Sequence, residues 1–173
     1  MQQWRRGDIF LVQNSDQQFT PGQILGFETR TLHSAACAFF NERISDPSAT
    51  DSLRLNPDRC FAALLVTPDG LDAGVWPVVG HQPVTLPSRL YPYRRALALR
   101  RFWGFFGLGW SLLTRKLPNP KIHGSGNVSN FLNAFYGLRA WDDWFDPSYL
   151  DTLLLSPEKK PEKLVFLHST PNV

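Results

Sequence analysis

Two clusters of side chains carry the residue types best suited to specific contacts. Trp141, Asp142, Asp143, Trp144, Phe145 and Asp146 place three carboxylates among three aromatic rings, a composition in which rigid rings anchor and carboxylates pair with a basic partner. Arg94, Arg95, Arg100 and Arg101 flank a short Ala/Leu run and lead into Phe102 and Trp103. Arginines interleaved with rings can hold phosphates and stack bases. Each cluster also has a plainer reading. Asp146 before Pro147 caps a helix, Trp141 and Trp144 close a core, and the arginines face water or neutralise acidic flanks.

Reactive chemistry needs other residue sets, and none stands at the required spacing. The chain has no G-x-x-x-x-G-K-[ST] run to cradle phosphates, no H-E-x-x-H to hold zinc and no G-x-S-x-G to present a nucleophile. His33, His81, His123 and His168 are widely spaced, without a partner ligand at helical or turn distance. Cys37 lies among Ala35, Ala36, Ala38, Phe39 and Phe40, where a thiolate is poorly solvated. Gly104, Gly107 and Gly109 miss the spacing of a dinucleotide loop. His123, Gly124, Ser125, Gly126 and Asn127 could bind an anion through backbone N–H groups at a helix start. No Lys or Arg follows within the first turn, which favours a turn feeding a helix cap. No catalytic residue, metal ligand or cofactor is therefore expected.

Patterning indicates the elements that must position these clusters. With 173 residues, 43% of them apolar and 13% aromatic, the chain can build a core for one domain over residues 1–173. Its 14 prolines favour many short elements over a helical bundle. Residues 8–12 and 22–27 read as a strand pair and 35–40 and 61–67 as further strands, with a long polar excursion over 41–59. Thr67, Pro68, Asp69 and Gly70 mark a turn. Residues 76–80 suit an edge strand or a strand start, because Pro77 cannot donate to a ladder. Over 93–113 the chain is apolar, basic and glycine-interrupted, and its period is ambiguous.

The last third is more regular. Val128, Phe131, Leu132, Phe135 and Tyr136 form the stripe of an amphipathic helix, with Asn127 as N-cap and Gly137 as stop. Asp146 and Pro147 open a second helix bearing Tyr149, Leu150, Leu153 and Leu154. Residues 158–163 form a solvated linker and 164–167 a final strand. The expected fold is α+β: a strongly curved, barrel-like antiparallel sheet in the N-terminal half with two C-terminal helices packed on it.

The formal charge of +3 hides a segregated pattern. Residues 1–72 hold six basic and nine acidic side chains, 73–141 nine basic and none acidic, and 142–173 three basic and six acidic. The basic middle can therefore neutralise its own flanks. Arg5 and Arg6 precede only a short apolar run, so no signal-peptide core is expected. Residues 102–113 fall short of the ~18 a membrane helix needs and are expected in the core. Cys37 and Cys60 lack C-x-x-C spacing and read as buried thiols in a reducing compartment, the cytoplasm.

Gly7-Asp8-Ile9-Phe10, Gly22-Gln23-Ile24-Leu25, Ala38-Phe39-Phe40 and Trp76-Pro77-Val78-Val79-Gly80 leading to Pro83 resemble the immunity protein 26 family of bacterial polymorphic-toxin and contact-dependent inhibition systems. The resemblance implies a cytosolic antidote, without chemistry of its own, that binds a cognate toxin domain and blocks it. It identifies no contact residues. Many delivered toxins act on nucleic acid through basic clefts, for which an acidic patch is a phosphate mimic. Asp142 and Asp143, supported by Trp141 and Trp144, are therefore the expected partner-binding residues. A nuclease is a candidate toxin, and neither membrane nor direct nucleic-acid contact is expected. Arg94, Arg95, Arg100 and Arg101 form the alternative partner surface. Two other readings stay open. The stretch from Arg5 to Val12 also resembles the opening of small-barrel endoribonuclease toxins, and the basic middle could make an RNA- or DNA-binding module.

Overall fold

The N-terminal apolar runs hydrogen-bond into one sheet. The computed structural model describes residues 4–28, 33–48, 53–91 and 121–167. Strands β1 (Asp8–Gln13), β2 (Phe19–Glu28), β3 (Ser34–Phe40), β4 (Cys60–Val66), β5 (Val78–His81) and β6 (Ile122–His123) lie in the order β5-β1-β2-β3-β4-β6. Every pairing is antiparallel except β4 with β6, which is parallel. The four expected N-terminal runs appear as β1 to β4, and the first two pair as expected, but through residues 9–13 with 19–23, so that Thr20, Pro21 and Gly22 lie in β2 rather than in a turn. Pro77 precedes the edge strand β5, and its carbonyl accepts from Leu11 N–H at 3.1 Å, so its missing donor costs the ladder nothing.

The sheet is open rather than barrel-like or strongly curled. It ends in two short strands, β5 and β6, that do not meet. The physical reason lies in the central strands: every residue of β3 and β4 is buried, so both faces of the sheet need cover. Phe10, Val12, Ile24, Cys37, Phe39, Phe61, Leu64 and Val66 belong to one buried cluster, and Ile9, Leu25, Ala36, Ala38, Phe40 and Leu65 to another. Successive side chains of a strand point to opposite faces, and here both faces are apolar.

Helix α2 (Ser125–Phe135) supplies most of the first cover through Val128, Phe131, Leu132 and Phe135, and Phe61 stacks on Phe135 with centroids 3.8 Å apart. Leu55, Leu86 and Tyr91 cover the opposite face from irregular segments. Phe10 stacks on Trp76 at 5.5 Å and meets Phe39 edge-on at 5.9 Å, which locks β1 to the chain entering β5.

Several local expectations shift. Helix α2 begins at Ser125 with Gly124 as N-cap, three residues before Asn127, because Ser125 Oγ donates to the Asp69 carboxylate as the chain leaves β6. Gly137, at φ +70°, ends it as expected. The expected turn at Asp69 is the start of a short helix, α1 (Asp69–Asp72). The expected second C-terminal helix is a 3-10 segment, Tyr149–Leu153. It is too short for the i+4 ladder, and Tyr149 N–H bonds instead to Asp146 O at 2.9 Å. Residues 164–167 make a single parallel bridge, Val165 with Ala140, rather than a strand of the sheet. Residues 93–113, with Gly104, Gly107, Gly109 and the cluster Arg94, Arg95, Arg100 and Arg101, lie outside the described residues.

Gly22 explains one of the sequence's glycine positions. A Cβ there would fall closer than 3.0 Å to three atoms of the Phe10 ring, which is itself fully buried. Gly22→Ala is expected to cost about 1–3 kcal/mol by overpacking, read as a lower urea midpoint with an unchanged denaturant slope. An unchanged midpoint would show that Phe10 can move aside freely.

Candidate functional site

The acidic-aromatic cluster is built on the loop that follows α2. After Gly137 the chain runs antiparallel to nothing in the main sheet; it pairs locally with the C-terminal segment, where Trp141 N–H donates to Val165 O at 2.7 Å and Leu167 N–H to Asp142 Oδ1 at 2.8 Å. These bonds lay residues 138–146 beside residues 163–167. The resulting surface carries most of the exposed large apolar side chains among the described residues: Leu138, Phe145, Val165, Phe166 and Leu167, with Phe145 fully exposed.

The expected site residues divide by role. Trp141 is 1% exposed, packs against Phe131 at 6.1 Å and donates from Nε1 to Asp151 Oδ1 at 2.9 Å. It is a core side chain beneath the loop and presents no face to a partner. Trp144 is half-buried against Tyr149, with centroids 5.0 Å apart. Asp143 pairs with Arg139 at 2.6 Å, and Arg139 also donates to Asn130 of α2 at 3.1 Å. Asp142 keeps one oxygen on the Leu167 amide. Both carboxylates thus hold the loop in place while remaining partly accessible.

Asp146 folds back on its own turn, accepting from Ser148 N–H at 2.9 Å and Ser148 Oγ at 2.7 Å. Those bonds, the side-chain one first, hold its carboxyl below the usual range. Two donors in the loop, Arg139 Nε and Trp144 Nε1, are buried without an acceptor among the described residues. A buried unsatisfied donor costs about 1–3 kcal/mol, so the loop is less fully bonded than the sheet it rests on.

Sequence reading missed Phe145 as the most exposed ring and read residues 164–167 as a final strand, whereas Val165, Phe166 and Leu167 are exposed. An apolar run looks the same whether a sheet covers it or a partner does. It also missed the network at the other end of β1. Asp8, buried, accepts from Arg5 N–H at 2.8 Å and meets His81 Nδ1 at 2.9 Å, while the buried Gln23 amide donates to Gln82 O at 2.7 Å. The Gly7-Asp8 and Gln23 motif positions therefore tie β1, β2 and β5 together. The anion site considered at Ser125 is filled by the protein's own Asp69, which accepts from Ser125 and Thr67. Burial pushes that carboxyl up, but the hydroxyl and amide donors outweigh it and hold it low.

The groups able to react are quiet. Cys37 and Cys60 are free and buried; burial drives the Cys60 thiol to about 12 and Cys37 in the same direction. Among the described residues no three His, Cys, Asp or Glu side chains gather to hold a metal ion. No helix among them is long and apolar enough to cross a membrane.

The fold is an α+β domain with a six-stranded mixed sheet, and the acidic-aromatic loop follows its longest described helix. A family model, Immunity protein 26, matches residues 5–102. That is more than half of the chain, which belongs to the immunity protein 26 family. The match takes in β1 to β5 and stops before β6, α2 and the acidic-aromatic loop. No curated protein and no solved structure matches the chain.

His123, at the joint between β6 and α2, gives a pH dependence. It is buried beside Tyr149, whose hydroxyl lies 3.2 Å from Nδ1; burial first and then Lys121 lower its pKa from the ordinary 6.5. Just below 6.5 the unfolded chain therefore binds more protons than the folded one, so stability falls as pH drops through that window. Melting temperature measured from about pH 7.5 to about pH 5.5 is expected to decline, and His123→Gln to flatten the decline. An equally steep slope in the variant would contradict the assignment.

Proposed function

We propose that this chain neutralises one cognate toxin domain in the bacterial cytosol by tight, non-covalent binding, without chemistry or cofactor of its own. Family membership supports an immunity role. The observation that carries the choice of contact surface is Phe145, a fully exposed ring close in sequence to Asp142 and Asp143, on a loop whose Trp141 and Asp142 bond to the segment bearing the exposed Val165, Phe166 and Leu167. An interface of this kind buries an aromatic anchor at its centre and surrounds it with polar groups that exclude water.

The charge suits a basic cleft. Asp142 and Asp143 present carboxylates already fixed by the Leu167 amide and Arg139, so little side-chain freedom is lost on docking. A toxin that handles nucleic acid offers the complementary field, in which acidic groups stand in for phosphates and raise the association rate. The surface also lies outside residues 5–102, so the family's common sheet can hold a contact region particular to one toxin. Trp141 acts from below, keeping the loop seated on α2.

The gene immediately upstream is expected to encode a large secreted protein with a variable C-terminal domain. Titration of that purified domain by calorimetry tests the reading. Phe145→Ala should leave the melting temperature unchanged, since the ring is fully exposed, and weaken binding at least about tenfold, or about 1.4 kcal/mol. Asp142→Ala with Asp143→Ala should weaken it further and reduce its salt dependence. Unchanged affinity in both variants would overturn the placement of the interface, and absence of binding by the intact chain would overturn the function.

A further inference from the structure

A second surface is built into the sheet itself, at the end of β2 farthest from the β1–β2 turn. β1 pairs with β2 only as far as Ile9 opposite Gln23, whereas β3 follows β2 to Glu28 opposite Ser34. The chain before β1 leaves the ladder at Gly7. Its φ is +94°, its N–H donates to Ile24 O at 2.8 Å, and a Cβ there would fall on His81 and the Gln82 carbonyl. Asp8 then ties the turn shut through the Arg5 amide. Among the described residues, positions 26–28 of β2 therefore have a sheet neighbour on one side only, while Leu25 in the bulge is wholly buried, and the register shift between Ile24 and Gly26 turns this part of the strand out of line with β1.

A cleft of about 790 Å³ runs along that open edge, lined by Trp4, Arg5, Arg6, Asp8, Ile24, Gly26 and Phe27. Phe27 is half exposed and rests on Trp4 with centroids 5.5 Å apart. Arg5 is largely exposed and Arg6 donates to the Tyr91 hydroxyl at 3.2 Å, while Asp8, the one carboxylate among the described residues lining the cleft, is buried and engaged by His81 and Arg5. The cleft thus offers unpaired backbone, an aromatic floor and two guanidinium groups.

We propose that this edge receives an extended, acidic segment of the toxin by strand addition, a step that rests on the immunity reading and names the backbone that would bind. An open strand edge is a template for another strand. Main-chain hydrogen bonds supply affinity in such complexes, and side-chain pockets supply specificity. Three residues at about 3.3 Å each give an added strand about 10 Å to follow. The arginines decide the occupant. They repel the same edge of a second copy of this chain and attract carboxylates, for which guanidinium groups are matched donors.

Hydrogen–deuterium exchange of the intact chain, free and bound to the purified C-terminal domain of the upstream-encoded protein, tests this directly. Strand addition predicts at least tenfold slower exchange within residues 26–28 in the complex. Arg5→Glu should slow association about tenfold at low salt, and the difference should shrink as salt rises. Arg5→Gln, which keeps a polar side chain without the charge, should fall between. A complex that Phe145→Ala weakens but that leaves exchange at 26–28 and the Arg5→Glu rate unchanged overturns strand addition while the proposed function stands. If the intact chain forms no complex, both fall.

Discussion

Burial of β3 and β4 on both faces is the constraint on which the rest of the structure depends. Their sequences, SAACAFF and CFAALLV, leave no polar face for water, so two separate layers must cover the sheet before it can be stable. Small residues in β3 let those layers approach closely, and Phe39, Phe40 and Phe61 fill the depth on either side. Helix α2 and the segment through Leu154 form one layer. Stretches around Leu55, Leu86 and Tyr91 contribute to the other. The sheet covered in this way is open, with β5 and β6 as its two ends.

The surfaces that can meet a partner follow from that cover. The acidic-aromatic loop is the outer side of the α2 layer. Trp141 points inward onto Phe131, and the same backbone turns Phe145 outward two residues after Asp143. At the opposite end, the departure of the chain at Gly7 is what leaves β2 longer than its neighbour. One surface is acidic and apolar and the other basic and aromatic, so a single toxin would have to present charge of both signs. That is a stronger specificity device than one charged patch, because a partner with only one of the two complements gains half the field and pays for the mismatch. The net charge of +3 conveys neither surface.

The strands and α2 were legible in sequence because their signals are local: runs of β-branched and aromatic residues between turn clusters, and a 3.6-residue stripe ending at Gly137. The edge position of the run after Trp76 followed from proline chemistry alone. What failed depended on partners distant in sequence. Asn127 looked like a cap until Asp69, 56 residues away from Ser125, supplied the bond that starts the helix earlier. The segment 164–167 read as a strand because its apolar residues are strand formers, yet its bridge is to Ala140 beyond the sheet. In the site, the loop's position was legible, but the division of labour was not. Trp141 and Phe145 have the same kind of side chain, and only packing on α2 separates the buried ring from the exposed one.

The central claim is protection, and growth measures it most directly. The upstream-encoded C-terminal domain is expressed in a susceptible bacterium with this chain, with its Phe145→Ala variant, or with neither. The account predicts arrested growth from the toxin domain alone, restored growth with the intact chain, and normal growth when the chain is expressed by itself. Arrest that the intact chain does not relieve, or toxicity of the chain on its own, would contradict it.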